Sequence, residues 1–305
     1  MVARLAISSL AGLSLILAPS ASGVPRQVPG FLVFERGGDL HRMAIDASEV
    51  ARLTTTKVRE TSPAVSSDGL LIAFGRRGDE LWTMSGRGTD QRRLLPARPR
   101  SVRYAATGAP SWTPDERFIY VDRSAQGPNE ICGWIYRVRA DGRDLRQVTR
   151  GVRLDTSPAV SPDGRRIAFI TGGCQPTSEC CSVGVVDPAG RPARELARLP
   201  NRFTYDEIAW SPDGSQVALE VSDLATDPLG IFVARRDGSG LRRLTPRGLY
   251  GEDPAWSPDG DSIAFTAWTR TRSYDLYTIR TDGSELHQVT QTPGEEHSPD
   301  WIPRS

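Results

Sequence analysis

The sequence predicts an all-β protein, a six-bladed β-propeller of four-stranded antiparallel blades, and three observations lead to this prediction. A short turn segment recurs five times, at intervals of 46 to 50 residues. Apolar and β-branched segments with the pattern of short strands flank each copy. The chain also ends with a segment that matches the first strand of a unit, while the first unit lacks that strand. A fixed period of this length is typical of repeat architectures, and four short strands per period correspond to one blade.

The recurring turn is Ser-Pro-Asp-Gly, and it joins the first and second strands of each unit. Glycine accepts the positive φ that a tight turn requires, and the aspartate side chain hydrogen-bonds nearby backbone groups. We therefore predict a β-hairpin at each copy and a structural, non-catalytic role for its aspartate. The copies lie at residues 66–69, 113–116, 161–164, 211–214 and 257–260, and the first two are degenerate.

The remaining strands of each unit follow with the same regularity. A third apolar segment, such as residues 276–279, comes after each hairpin, and a short fourth one, such as residues 288–290, ends the unit. The unit that begins at residue 31 has only three such segments, whereas residues 298–303 form a spare first strand. We therefore predict that this C-terminal strand completes blade one and closes the ring, which removes exposed strand edges.

The repeat resembles the WD-like propeller repeat of TolB-type periplasmic proteins. Its units read P-A-W-S-P-D-G-x-x-I-A-F, followed by L-Y, D-G and L-T, and most of this motif occurs in five units. The resemblance implies a propeller fold over almost the whole chain. Because only residues 1–29 precede the propeller, it also implies an isolated propeller that lacks the N-terminal α/β domain of TolB-like proteins.

Residues 1–29 predict a secretory signal peptide and a short leader. Arg4 is followed by an apolar stretch at residues 5–18 and by small residues at 20–23, and we expect cleavage near residues 22–24. An uncleaved membrane anchor is the alternative, although a span needs about 20 apolar residues. We therefore expect a periplasmic or secreted protein with no membrane span after cleavage, in which residues 30–305 form the propeller.

Composition and motif content favour a binding protein over an enzyme. The 305 residues carry a net charge of +1, so no long-range field would attract nucleic acid. The sequence contains no G-x-S-x-G nucleophile elbow, H-E-x-x-H motif, P-loop or Rossmann glycine run. We expect a monomeric, non-enzymatic scaffold that binds a protein or peptide. The alternative is a small-molecule hydrolase, lyase or lactonase with a metal-assisted site at the mouth of the channel.

Acidic residues stand just before the inner strands, and ring geometry should bring them around one mouth of the channel. We expect no cofactor, although grouped carboxylates could hold a divalent cation, since Ca²⁺ takes several oxygen ligands. They could also hold a basic partner segment. The structural alternative is that they bond to backbone groups of neighbouring blades or face water. The group comprises Glu60, Asp155, Asp206, Glu207, Glu252, Asp253, Glu295 and Glu296, with His297 beside them.

Two loops supply further candidates for a binding face. Residues 96–108 contain Arg103 and Tyr104, and residues 266–275 contain Trp268, Arg270 and Tyr274. Aromatic residues and arginine dominate binding hot spots, so we predict that these side chains contact the partner. The alternatives are that the first loop is a solvated connector and that Trp268 continues a strand and packs on a neighbouring blade.

Cysteine placement predicts two disulfides in an exported protein. The four cysteines fall in the loops between the second and third strands of blades three and four, and their number is even. Adjacent side chains of an extended chain point in opposite directions, so one of the neighbouring pair can return within its loop while the other crosses to blade three. We favour Cys132 with Cys181 and Cys174 with Cys180; free thiols and a metal site are the alternatives.

Overall fold

The computed structural model of the 305-residue chain describes residues 30–96, 105–126, 131–150, 153–172, 182–193, 196, 199–200, 203–223, 227–269, 273–292 and 294–303. In these ranges the protein is all-β, with strands and turns and no helix. The predicted signal peptide lies outside the described residues. The all-β class and the propeller arrangement that the repeat predicts are both confirmed.

The strands follow one another in chain order with short connections. They are β1 Gly30–Arg36, β2 Asp39–Ala44, β3 Val50–Arg52, β4 Glu60–Val65, β5 Leu71–Arg76, β6 Glu80–Ser85, β7 Arg92–Leu95, β8 Ala105–Thr107, β9 Ser111–Trp112, β10 Phe118–Gln126, β11 Ile131–Arg139, β12 Arg146–Gln147, β13 Leu154–Val160, β14 Ile167–Gly172, β15 Ser182–Val186, β16 Thr204–Trp210, β17 Gln216–Asp223, β18 Asp227–Arg235, β19 Arg242–Arg243, β20 Tyr250–Trp256, β21 Ser262–Trp268, β22 Asp275–Arg280, β23 His287–Gln288 and β24 Glu296–Pro303.

The described strands assemble into four separate four-stranded sheets and one eight-stranded sheet. The separate sheets have the orders β24-β1-β2-β3, β4-β5-β6-β7, β16-β17-β18-β19 and β20-β21-β22-β23. The eight-stranded sheet contains β8 to β15, and a single parallel pair, Gly133 with Leu154, joins β11 to β13. Its first part has an inner strand split into β8 and β9. Its second part has an isolated bridge between Val186 and Pro192 where the other sheets have a fourth strand.

The last strand closes the ring. Strand β24 pairs antiparallel with β1, and this pairing sets Phe31 opposite Ile302 and Leu32 opposite Trp301. The C-terminal strand thus joins the sheet of the first strand, as the spare segment predicts, although it begins at Glu296 rather than at residue 298. Because both ends of the chain share one sheet, β24 covers the edge of β1 that would otherwise be unpaired.

The recurring turns form the hairpins that their sequence predicts. In the copy at 257–260, the Ser257 hydroxyl donates to Asp259 at 2.6 Å, and Asp259 accepts the N–H of Asp261 at 3.1 Å. Gly260 takes a φ of 75°. The same pattern at Asp213, led by the hydrogen bond from Ser211, lowers the pKa of that carboxyl group. The turn aspartates therefore serve the hairpins.

A tryptophan in the inner strand hydrogen-bonds several of the sheets to the inner strand that precedes it in the chain. Each indole N–H donates to an alanine carbonyl of the preceding inner strand, over 3.0 to 3.2 Å. A buried indole needs such a partner, so these bonds fix the angle between neighbouring sheets. The donor and acceptor pairs are Trp112 with Ala64, Trp210 with Ala159, Trp256 with Ala209, and Trp301 with Ala255.

Candidate functional site

A cavity of about 300 Å³ opens at the centre of the ring. Its lining comes from β4, β9, β13, β16, β20 and β24, the inner strands of the sheets, so it is the central channel of the propeller. Proline, alanine and tryptophan side chains form most of the wall. The polar lining includes Glu207, Asp253, Ser298 and Asp300. The channel wall therefore exposes about as much polar as apolar surface, with carboxyl and hydroxyl groups set among the apolar side chains.

A β-bulge in the inner strands shapes this lining. The pairing with the second strand shifts register between Thr61 and Ala64 in β4, and the shift recurs in β13, β16 and β20. The bulged residue takes a φ of 50° to 51° at Ser62, Ser157, Asp253 and Ser298. A bulge leaves one N–H group without its ladder partner.

Carboxylates of the preceding sheet accept several of these N–H groups. Asp122 accepts the Ser157 N–H at 3.2 Å, and Glu220 accepts the Asp253 N–H at 3.3 Å. Asp253 in turn accepts the Ser298 N–H at 3.0 Å. These carboxylates near the channel thus accept hydrogen bonds from the N–H groups of the bulges, and these bonds fix the position of their side chains.

Five carboxyl groups gather where β16, β17 and β20 meet, and we call them the channel carboxylates. No described residue forms an ion pair with any of them. Two line the cavity at the bulge, one lies on the second strand close to these two, and two stand one residue before the bulge. They are Glu207 and Asp253, Glu220, and Asp206 and Glu252.

Burial without a cation raises the pKa values of four of these groups. Burial, reinforced by the charge of Asp253, raises the pKa of Glu207 to about 8 and that of Glu252 to about 7. The same two causes raise the pKa of Glu220 well above its usual value. Burial also raises the pKa of Asp206. Because like charges disfavour one another's ionisation, the group retains protons at neutral pH.

The structure divides the acidic residues that the sequence groups around one mouth. Glu60 is fully buried and accepts the Arg76 guanidinium and the Thr54 hydroxyl, each at 3.0 Å. Asp155 is also buried and accepts the Thr171 hydroxyl at 2.6 Å. Neither residue lines the central cavity. Glu60 and Asp155 therefore bond to side chains of the fold, whereas Asp206 and Glu252, which also lie outside the cavity lining, stand beside Glu207 and Asp253 in the chain.

Glu296 repeats the arrangement of Glu60 at the junction that closes the ring. It is fully buried, and it accepts the Arg36 guanidinium at 2.8 Å and the Thr290 hydroxyl at 3.1 Å. The repeat thus supplies an arginine wherever a glutamate starts an inner strand, at Glu60 and at Glu296. The channel carboxylates have no such cation among the residues that the structure describes.

Four aromatic rings form a continuous stack at the end of the propeller where the inner strands begin. The centroid distances are 5.3 Å from Tyr250 to Trp268, 5.0 Å from Trp268 to Tyr274, and 4.8 Å from Tyr274 to His297. We call this set the ring stack. Trp268, Tyr274 and His297 also line a surface pocket of about 590 Å³ together with Glu295. Trp268 does end β21, as one alternative expects, but it stacks on two tyrosines.

Several predicted positions fall outside the described residues. They are Arg103, Tyr104, Arg270, Cys174, Cys180 and Cys181. Cys132 is buried in β11 and is disulfide-bonded, with its partner outside the described ranges, so the pairing remains a prediction. In the described part of the chain, no three His, Cys, Asp or Glu side chains are arranged to hold a metal ion. Nor does that part contain a helix able to cross a membrane.

The sequence and the fold of this chain are similar to those of known propeller proteins. No protein-family model matches the sequence. The chain is 30% identical over 269 residues to a TolB homolog of Chlorobium luteolum, which covers 86% of this chain and 56% of that protein. It therefore spans about half the length of this relative.

Solved structures show the same fold at low sequence identity. TolB from Acinetobacter baumannii has a TM-score of 0.73 at 18% identity, over 93% of this chain and 69% of that one. An oligogalacturonate lyase in complex with manganese has a TM-score of 0.61 at 14% identity, over 88% of this chain and 76% of that one. At these identities the likeness concerns the fold alone.

Proposed function

The chain belongs to the family of TolB-like β-propeller repeat proteins, and from this premise we propose that it is a non-enzymatic scaffold that binds a cationic segment of a protein or peptide at its channel. The proposal includes six blades, and it is supported by the single pair, Gly133 with Leu154, that joins the two halves of the eight-stranded sheet. Residues 30–305 form one domain, which the signal peptide at residues 1–29 exports to the periplasm or beyond. The domain acts as a monomer.

The observation that carries this proposal is the channel cavity flanked by carboxyl groups without a cation. Glu60 and Glu296 each receive an arginine within the fold, at 3.0 and 2.8 Å. Glu207 and Glu220 receive none among the described residues, and burial together with the charge of Asp253 raises the pKa of both. An ammonium or guanidinium group in the channel would supply the missing charge and lower these pKa values.

Binding should therefore release protons. A partner that brings a positive charge to the channel favours the ionised form of Glu207, whose pKa is about 8 in the free protein. Around pH 7 the group is protonated before binding and loses its proton on binding. The heat of binding should consequently depend on the ionisation enthalpy of the buffer, and this dependence should become weaker in the Glu207→Gln variant.

A metal-assisted hydrolase or lyase has less support. The likeness to the oligogalacturonate lyase is one of fold, at 14% identity. The described residues supply no set of three His, Cys, Asp or Glu ligands for a metal. The raised pKa values of the channel carboxylates are explained by burial and by neighbouring acids, so they require no catalytic role.

A panel of end-blocked peptides of equal length tests the proposal. One member is rich in lysine and arginine, one is neutral and one is rich in glutamate, and fluorescence anisotropy gives the affinities. We expect the basic peptide to bind at least tenfold more tightly than the other two. The double variant Glu207→Gln/Asp253→Asn should reduce its affinity about tenfold, which corresponds to about 1.4 kcal/mol.

The matched control removes two acidic charges elsewhere on the protein. Glu49 and Glu285 are both exposed, so Glu49→Gln/Glu285→Gln changes the net charge by the same amount as the channel variant. This control should bind the basic peptide as the wild type does. Equal affinity for all three peptides, or equal loss in both double variants, would contradict a channel site.

A further inference from the structure

The ring stack is a surface feature rather than a part of the core. Tyr250, Trp268, Tyr274 and His297 are each only partly buried. None of the four belongs to the buried clusters that hold the described sheets together. Their rings contact one another and leave a pocket of about 590 Å³ open beside them. Large rings held together at a surface are typical of binding hot spots.

The ring stack extends the channel carboxylates toward the outside. Tyr250 and Glu252 are two residues apart on β20, so their side chains lie on the same side of the sheet. Strand β21 places Thr266 opposite Glu252 and Trp268 opposite Tyr250. The path therefore runs from the channel carboxylates over Tyr250 and Trp268 to the pocket beside Tyr274.

The pocket at the outer end of this path contains one carboxylate, that of Glu295. Glu295 lines it with an exposed carboxylate, whose Oε2 lies 3.9 Å from Nε2 of His297. Aromatic faces attract cations, and a carboxylate beside them adds a hydrogen-bond acceptor of opposite charge. A guanidinium group suits both features, because it is planar, weakly hydrated and able to donate several hydrogen bonds at once.

The fold already uses this mode of contact in its own sheets. Arg42 lies over the ring of Phe31 at 4.0 Å, and Arg76 lies over Trp82 at 4.1 Å. Across the ranges that the structure describes, no arginine lies over Trp268 or Tyr274. Phe31 and Trp82 thus each have an arginine over their ring, whereas the described residues place none over the ring stack.

We propose that the ring stack, with Glu295, binds an arginine side chain of the partner whose cationic segment occupies the channel. This inference rests on the proposed function and adds to it a residue preference. The channel carboxylates pair with any cation and hardly distinguish arginine from lysine. The ring stack does distinguish them, because a guanidinium group stacks on an indole and an ammonium group does so less well.

The experiment compares two end-blocked basic peptides of the same length, one containing arginine and the other lysine at the same positions. Anisotropy gives the ratio of their affinities for each protein. We expect the wild type to bind the arginine peptide about fivefold more tightly, and Trp268→Leu to bring the ratio close to one. The Glu295→Gln variant, which disturbs packing least, should also lower the ratio.

The control is Phe31→Leu, which removes a ring that already carries Arg42 and should leave the ratio unchanged. In the Glu207→Gln/Asp253→Asn variant both peptides should bind more weakly, with the arginine preference retained. A ratio near one in the wild type, or a ratio that survives Trp268→Leu, overturns the inference while leaving the channel proposal in place. The proposed function is overturned instead if the wild type shows no preference for basic peptides and the Glu207→Gln/Asp253→Asn variant binds them as the wild type does.

A third peptide, with glutamate in place of arginine, separates the ring stack from its neighbours in sequence. Residues 270–272, which include Arg270 and Arg272, lie outside the described residues. If these arginines dominated the pocket, the wild type would prefer the acidic peptide, and that preference would also overturn the inference. Weak or absent binding of the acidic peptide is the result we expect.

Discussion

Replacing Glu207 with glutamine should remove part of the pH dependence of folding stability. The pKa of Glu207 is 4.5 in the unfolded chain and about 8 in the folded protein, where burial and the charge of Asp253 oppose ionisation. Between these two values the folded state binds a proton that the unfolded state releases. The stability that this group contributes is therefore fully present below pH 4.5 and is lost as the pH rises through 8.

The size of the effect follows from the two pKa values. Each unit of difference corresponds to about 1.4 kcal/mol, so the shift from 4.5 to about 8 sets an upper bound of about 5 kcal/mol. Neighbouring acids share the penalty of ionisation, and we therefore expect about 2 kcal/mol. Glutamine can keep the hydrogen bond that the Ser157 hydroxyl donates to Glu207 at 2.9 Å, so the variant should match the wild type near pH 5.

Chemical denaturation from pH 5 to pH 9 measures this difference directly. We expect Glu207→Gln to exceed the wild type in free energy of unfolding at pH 9, with a shallower slope between pH 5 and pH 8. Glu49→Gln, at an exposed position, should follow the wild-type slope. If Glu207→Gln and the wild type show parallel slopes, the carboxyl group is ionised in the folded protein and our account of the channel carboxylates is wrong.

Three further predictions concern the stability of the ring and the disulfide pairing. Trp301→Phe should lower the free energy of unfolding by about 1 to 2 kcal/mol, because it removes the indole bond to Ala255 across the closing junction; an unchanged value would show that closure does not depend on it. The Gln288→Arg variant should raise the free energy of unfolding by about 1 kcal/mol. Gln288 donates to Asp275, whose buried Oδ1 has no partner, and an arginine there would pair with this carboxylate as Arg52 pairs with Asp39. A lower melting temperature of the variant would contradict this prediction. Non-reducing peptide mapping should find Cys132 joined to Cys181, and four free thiols would contradict the disulfide prediction.

The repeat made most of the fold predictable. The turn residues act locally, since Gly260 takes its positive φ and Asp259 its hydrogen bonds within the hairpin itself. Ring closure was predictable because a missing strand at one end matched a spare strand at the other. The split inner strand at β8 and β9 and the bridge at Pro192 were not, because they depend on how each blade packs against its neighbours.

The site was harder to predict because the bulge decides which acid faces the channel. Glu60 stands three residues before Pro63 and is buried between sheets, whereas Glu207 stands at the bulge and lines the cavity. Sequence position alone grouped them together. Glu220 was missed because it comes from the second strand, within the apolar run of β17. A charged residue inside such a run was the one signal that could have identified it.

The ring stack depends on contacts that no local pattern reveals. Trp268 and Tyr274 are close in sequence, but His297 comes from the strand that closes the ring and meets Tyr274 only after closure. The sequence could indicate Trp268 and Tyr274 individually as hot-spot types. It could not indicate that they stack together with Tyr250 into one surface.

A double-mutant cycle between the channel and a peptide charge tests the central claim, that the channel carboxylates bind a cation of the partner. The cycle combines wild type and Glu207→Gln with a basic peptide and its counterpart in which a single lysine is replaced by norleucine. We predict a coupling free energy of about 1 kcal/mol or more, since the two charges meet in a buried site. Effects that add within about 0.3 kcal/mol, for every lysine position of the peptide, would contradict the claim.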